Sequence, residues 1–265
     1  MKKITLLKLG GSLITDKKKA FTPKLEIIHN LSKQIKQAFD INPNLKLIIG
    51  NGSGSFAHYP AVQYKMKRGI REEKQKFGFC LVQNAAAKLN RIIVEELLKT
   101  GIKAISLNPS SMIVSNNNKI KRFFLEPFFG LLSLEITPVI YGDIVYDESL
   151  GAKIYSTEQL LGEIALNFKK KGYQARIIHN GITKGVLDQN GEPIPIITEK
   201  DINNVKKSLY STSGYDITGG MVHKINESLN LAKQGIKSLI INGTSEENLL
   251  TRALLEEQVI GTVIQ

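Results

Sequence analysis

Apolar residues along this chain fall into short, continuous runs separated by longer stretches where they recur every three or four positions. Ile4 to Leu9, Leu45 to Ile49, Lys103 to Leu107, Pro138 to Tyr141, Ala175 to His179, Ser238 to Asn242 and Gly261 to Ile264 read as strands. Pro23 to Phe39, about Phe77 to Lys99, Thr157 to Lys171, Gly220 to Gln234 and a segment from about Glu246 read as helices, with Thr22 as N-cap and Pro23 as first helical residue of the earliest. Strands that are apolar throughout must be covered on both faces. The alternation therefore predicts an α/β fold, a three-layer αβα sandwich with a central, mainly parallel sheet. Asn116, Asn117 and Asn118 mark a hairpin between Met112 to Ser115 and Lys119 to Phe124, and Gln189-Asn190-Gly191 marks another turn. No linker, repeat or composition shift divides the chain. One domain over 1–265 is expected, and any two lobes would share one continuous sheet.

Composition adds limits. The 42% hydrophobic and 23% charged content of 265 residues is that of a globular chain, long enough to bury a core without disulfides. Cys80 is the single cysteine, which excludes an internal disulfide and a cysteine zinc cluster and fits a reducing, cytoplasmic setting. Met1-Lys2-Lys3-Ile4 runs directly into a strand, so neither a signal peptide nor a membrane span is expected. The formal charge of +12 raises nucleic acid as a partner. However, the lysines are scattered and lack interleaved aromatics, which favours a solvated surface with sites for small anions.

Three glycine-lysine groupings stand where strands end or helices begin. Lys8-Leu9-Gly10-Gly11-Ser12, followed by Thr15-Asp16-Lys17, places a lysine inside an apolar strand and paired glycines at its exit. Backbone amides there can approach an anion closely. The second group, Gly50 to His58, leads toward a helix N-terminus and lacks the Gly-Lys-Ser/Thr of a Walker loop. In the third, Asp216-Ile217-Thr218-Gly219-Gly220, the glycines open a helix that carries Lys224 one turn later. Each alone is an ordinary turn beside a solvated lysine. Together they point to phosphate binding and phosphotransfer. The residues His29, His58, His179 and His223 are too dispersed for a metal cage, and no zincin, hydrolase-elbow or protein-kinase signature is present. Asp143 and Asp147 could pair as carboxylates, although a turn between strands explains them equally well.

Lys8 to Ser12, Thr15 to Lys17, the loop ending at His58, Asp216 to Met221, Leu89-Asn90-Arg91, Pro109-Ser110-Ser111, Tyr141-Gly142-Asp143 and Gly261 to Ile264 together resemble the amino acid kinase superfamily. Within it they are most similar to the isopentenyl phosphate kinases. The resemblance implies ATP and Mg²⁺ as cofactors, no metal ligands from the protein, a homodimer, and isopentenyl phosphate as acceptor. It also implies an acceptor-binding part over about 1–170 and a nucleotide-binding part over about 171–265.

By the same resemblance, Gly10, Gly11 and Ser12 would contact ATP phosphates, with Asp216, Gly219 and Gly220 on the nucleotide side. Lys8 and Lys17 would bridge donor and acceptor, and Lys224 would reach the β/γ end of ATP. Gly52, Ser53, Gly54 and His58 would hold the acceptor phosphate. Asp143 would organise the charges. The acceptor's apolar tail would need an apolar pocket, for which Val62, Tyr64, Phe77 or Phe79 are candidates, although helix-core packing explains any one of them more simply.

Asn51 and Ser53 stand where the family commonly has His and Gly. Ser156-Thr157-Glu158-Gln159 replaces a Ser-Gly-Asp segment, and Thr183-Lys184-Gly185-Val186 replaces Asp-Val-Asp-Gly-Val. The alternatives are a kinase of another small phosphate or phosphonate such as fosfomycin, and a non-catalytic ligand-binding regulator.

Overall fold

The structure is a computed structural model that describes residues 2–202, 205 and 220–265. Its main sheet has eight strands. In chain order they are β1 (Lys2–Leu9), β2 (Leu47–Asn51), β3 (Ala104–Ser106), β6 (Thr137–Tyr141), β9 (Tyr173–Asn180), β10 (Ile196–Ile197), β11 (Lys237–Ile241) and β12 (Thr262–Ile264). Their spatial order is β10-β12-β11-β9-β1-β2-β6-β3. All neighbours are parallel except β11 and β12.

Alternation along β1 explains how both faces are covered. Leu7 and Leu9 join a core with α2 (Leu25–Ile41), α4 (Glu73–Lys99) and α9 (Leu249–Leu254). Ile4 and Leu6 point the other way, into a core with α6 (Glu126–Ser133) and α7 (Thr157–Lys170). The helix α8 (Gly220–Ala232) covers the far end of that second face through Ile225 and Leu229 against Ile240. The αβα sandwich follows from period-two burial on strands that have no solvated face.

This parity decides where Lys8 goes. It is the third member of the Ile4, Leu6 series and therefore faces α7, as does its register partner His179, which follows Ala175 and Ile177 on β9. Asn51, in the opposite parity, faces α4.

The strand order also creates a switch point. From β1 the chain moves to β2 on one side, and from β9 it moves to β10 and then β11 on the other. In open α/β sheets the crevice beyond the carboxyl ends at such a point is where ligands bind. Here it lies between Lys8–Leu9 and His179–Asn180.

Three sequence expectations change. The hairpin strands do not join the main sheet. β4 (Ile113–Asn116) and β5 (Lys119–Phe123) form a separate four-stranded sheet with β7 (Asp143–Asp147) and β8 (Gly151–Tyr155), in the order β5-β4-β7-β8. Asp147 braces it by accepting from Ser115 Oγ at 2.7 Å and from the amides of Asn117, Asn118, Ser149 and Leu150 at 2.9–3.1 Å. Its carboxylate is spent on turns, so it does not pair with Asp143. Secondly, Thr22 donates to Ala20 O rather than capping, and α2 begins at Leu25, after Pro23 has bridged to Thr15. Finally, α6 was not anticipated, because Pro127 and Gly130 mask its apolar periodicity.

Candidate active site

The glycine loops after β1 and β2 meet backbone to backbone. A Cβ on Gly11 would lie 2.6 Å from Gly54 N, and one on Gly52 would lie 2.8 Å from Gly11 N. Only glycine permits this approach. The short helix α1 (Gly11–Ile14) and α3 (Gly54–Gln63) begin there, so amides from two helix starts converge. Thr15 fastens the pair: its Oγ1 donates to Gly11 O at 2.7 Å and accepts from Ser55 N at 3.0 Å. Gly54 has φ +49°, and a Cβ there would strike Thr15 Oγ1. On the other flank, Gly10 N donates to Asn180 O at 2.8 Å, which ties the β1 exit to that of β9.

Asn51 anchors the β2 end. Asn90 Nδ2 donates to its Oδ1 at 2.9 Å, and Thr157 Oγ1 donates to its carbonyl at 2.7 Å. Thr157 opens α7, which is capped by a reciprocal box: Gln159 N donates to Ser156 Oγ at 3.2 Å and Ser156 N donates to Gln159 Oε1 at 3.1 Å. This turn carries Glu158 over β1, where it forms an ion pair with Lys8. Burial works to raise the Glu158 pKa, but the charge and hydrogen bond of Lys8 outweigh it and bring it down to about 2.

Glu158, and not Asp143, is the carboxylate paired with Lys8 among the described residues. Asp143 lies at the start of β7 and accepts from Ser110 N at 3.1 Å and Ile144 N at 2.9 Å, at the N-terminus of α5 (Pro109–Met112). Burial pushes its pKa up to about 6, against those hydrogen bonds.

A cleft of about 730 Å³ opens over these elements. Gly52, Ser53, His58, Asp143, Glu158, Lys224 and Glu227 line it, with an apolar wall of Ala57, Ala61, Val62, Val82 and Ile154. His58 is exposed on α3 and reaches the cleft from one side, while Lys224 on α8 reaches it from the other. Lys65, Lys67 and Lys153 also line it. Val62 is thus in the wall, whereas Tyr64 and Phe77 pack edge to face with each other at 6.3 Å and Phe79 packs on the core. Lys17 is in an exposed turn following α1 and is not among the lining residues. Ser12 lies within α1, and Gly220 begins α8; Asp216 and Gly219 lie outside the described residues.

Two neighbours of Lys8 have no clear signal in the sequence. Glu158 was hidden because its segment departs from the Ser-Gly-Asp pattern. His179 is one of four dispersed histidines, and its one signal is that Ile177-Ile178-His179-Asn180-Gly181 repeats the form of Leu6-Leu7-Lys8-Leu9-Gly10: a polar residue two before the glycine of an apolar strand.

Known proteins resemble this chain in sequence and fold. The chain matches the amino acid kinase family over residues 3–242. It is 35% identical to an isopentenyl phosphate kinase of Methanothermobacter thermautotrophicus, over 98% of each chain. It is 33% identical to one of Methanocaldococcus jannaschii, again over 98% of each. A crystal structure described as that of an isopentenyl phosphate kinase superposes with a TM-score of 0.81 at 30% identity, covering 99% of this chain and 100% of that one. With the converged glycine loops and the lysine-bearing strand at the switch point in place, the chain belongs to the amino acid kinase family.

Proposed function

We propose that the protein is an ATP-dependent kinase that phosphorylates isopentenyl phosphate to isopentenyl diphosphate. The observation that carries this reading is a single cleft combining Gly52, Ser53 and His58 with Lys224 and an apolar wall, in a chain similar over its whole length to isopentenyl phosphate kinases. An acceptor phosphate is already nucleophilic at neutral pH, so the reaction needs no strong general base. What it needs is alignment of two polyanions that repel each other.

The converged amides of the Gly10–Ser12 and Gly52–Gly54 loops would receive phosphate oxygens, and Lys8, Lys17 and Lys224 would offset their charge. His58 would hold the acceptor phosphate, with the tail along Ala57, Ala61 and Val62. Mg²⁺ would be carried in on the nucleotide phosphates. Bound there, Mg²⁺ would neutralise charge on the transferring group. The chain would act as one kinase domain, acceptor part before about 170 and nucleotide part after, as a cytoplasmic homodimer.

A second reading comes from Lys65, Lys67 and Lys153 in the cleft lining, which favour an acceptor with further anionic or polar groups. ATP consumption measured on the purified chain across isopentenyl phosphate, longer prenyl phosphates, fosfomycin and sugar phosphates separates the two. Turnover of isopentenyl phosphate with the highest kcat/KM is expected. Its absence sinks the leading proposal.

A further inference from the structure

His179 has no place in the reaction just described, and its surroundings require one. It is buried on β9, and among the described residues neither Nδ1 nor Nε2 has a hydrogen-bond partner. Buried polar atoms in native proteins are nearly always partnered, so an imidazole with both nitrogens empty calls for an explanation. Its position supplies one. His179 is the register partner of Lys8 across the switch point, and both side chains point to the face covered by α7. The charged groups that act on it come from each element packed there: Lys8 from β1, Glu158 from α7 and Lys224 from α8. Burial first, then the two lysines, hold the ring neutral over the physiological range against the opposite pull of Glu158, with its pKa near 3. A neutral imidazole offers one N–H donor and one acceptor.

The Lys8–Glu158 pair poses a difficulty that this donor resolves. The Lys8 ammonium is paired with Glu158. If it turns toward incoming phosphates, the Glu158 carboxylate, half-buried in the cleft lining, loses the cation it is paired with, and a partly desolvated carboxylate without a partner is unfavourable. Lys224, also expected on the phosphates, is drawn the same way.

We propose that His179 is a positioning residue: when a nucleoside triphosphate draws Lys8 toward its phosphates, the His179 N–H takes up the Glu158 carboxylate, holding it in place and releasing the lysine. The exchange moves hydrogen bonds only, with no proton changing owner. It rests on the reading of the cleft as a nucleotide-using kinase site.

The test uses the full chain with ¹⁵N-labelled histidine, whose four residues keep the ring spectrum assignable by comparison with His179→Gln. A non-hydrolysable ATP analogue with Mg²⁺ is titrated in while its binding is followed by calorimetry. Saturation is expected to bring out a slowly exchanging, hydrogen-bonded His179 ring N–H that is absent from the free protein. In turnover assays, His179→Leu is expected to lower kcat by on the order of tenfold, the scale seen when a partner that orients a charged group is removed, with a smaller change in the KM for ATP. His179→Gln, which keeps a neutral donor, should recover most of that loss. A bound analogue with an unmoved His179 resonance overturns the proposal alone, as does a Leu variant within twofold of wild type. Failure of the wild-type chain to bind the analogue overturns the nucleotide reading as well. The resonance is read on the wild-type chain, so the decision does not depend on a variant folding.

Discussion

Lys8 and Glu158, 150 residues apart in sequence, form a part-buried ion pair that joins the first strand to the opening turn of α7. The lysine is inside because the parity of β1 aims it there. The carboxylate meets it because Thr157, bonded to the Asn51 carbonyl, fixes where α7 starts. Gly50 makes the room, since a Cβ on it would come within 2.6 Å of Thr157 Cγ2.

Removing one member of such a pair strands the other. Glu158→Gln is expected to destabilise the fold by about 3 kcal/mol, which lowers the melting temperature by roughly 6–10 °C in a chain of this size. Turnover should fall about a hundredfold as Lys8 loses its orientation. Differential scanning calorimetry and steady-state kinetics read the two effects, and an unchanged melting temperature would show that the pair contributes nothing.

Glu158 and Asp143 should shape acid stability in opposite senses. The Glu158 pKa is depressed from 4.5 to about 2, so its contribution is complete above 4.5 and is lost as pH falls toward 2. That of Asp143 is raised from 3.8 to about 6, so its burial begins to cost stability above pH 3.8 and the cost levels off past 6. Melting temperatures of Asp143→Asn minus wild type should therefore climb between pH 4 and 6 and then stay level. A flat difference over that window would contradict the assignment.

Contact between the glycine loops can be probed one Cβ at a time. Gly11→Ala forces a carbon to 2.6 Å from Gly54 N, which should cost about 1–3 kcal/mol and abolish most activity by parting the converged amides. Gly130→Ala, in α6 with nothing within 4 Å of the added carbon, should instead stabilise by about 0.5–1 kcal/mol. Urea titrations of both variants make the comparison.

His58 is exposed on α3 at the cleft edge, so its removal should leave the fold alone. His58→Ala is expected to reduce kcat/KM for the phosphate acceptor by about a hundredfold, with a melting temperature within experimental error of wild type. Equal loss of affinity for nucleotide and acceptor would move the histidine out of the acceptor subsite.

The sandwich was legible because strands such as Leu6-Leu7 and Ile48-Ile49 are apolar on both faces, a pattern only a covered, mainly parallel sheet satisfies. The glycine loops were legible too, as paired glycines at strand exits announce close backbone approach. The separate four-stranded sheet was not. Strand signals are local, while pairing partners are chosen by what lies beside them, and Asp147 gathering amides from both ends of its sheet is a long-range event.

The same division runs through the candidate site. Local chemistry fixed which residues can meet a phosphate: the amides after Lys8 and Asn51, and the cation on the first turns of α8. Folding alone decided which carboxylate stands against Lys8 and which histidine lies beside it. Glu158 and Asp143 are both acidic residues that closely follow a strand, and the local sequence does not say which of them meets Lys8. Side-chain parity on β1 and β9, with the start of α7 set by Asn51, brings Glu158 to the lysine and leaves Asp143 to the amides of α5, because an ion pair between distant segments depends on the register of the elements that carry it.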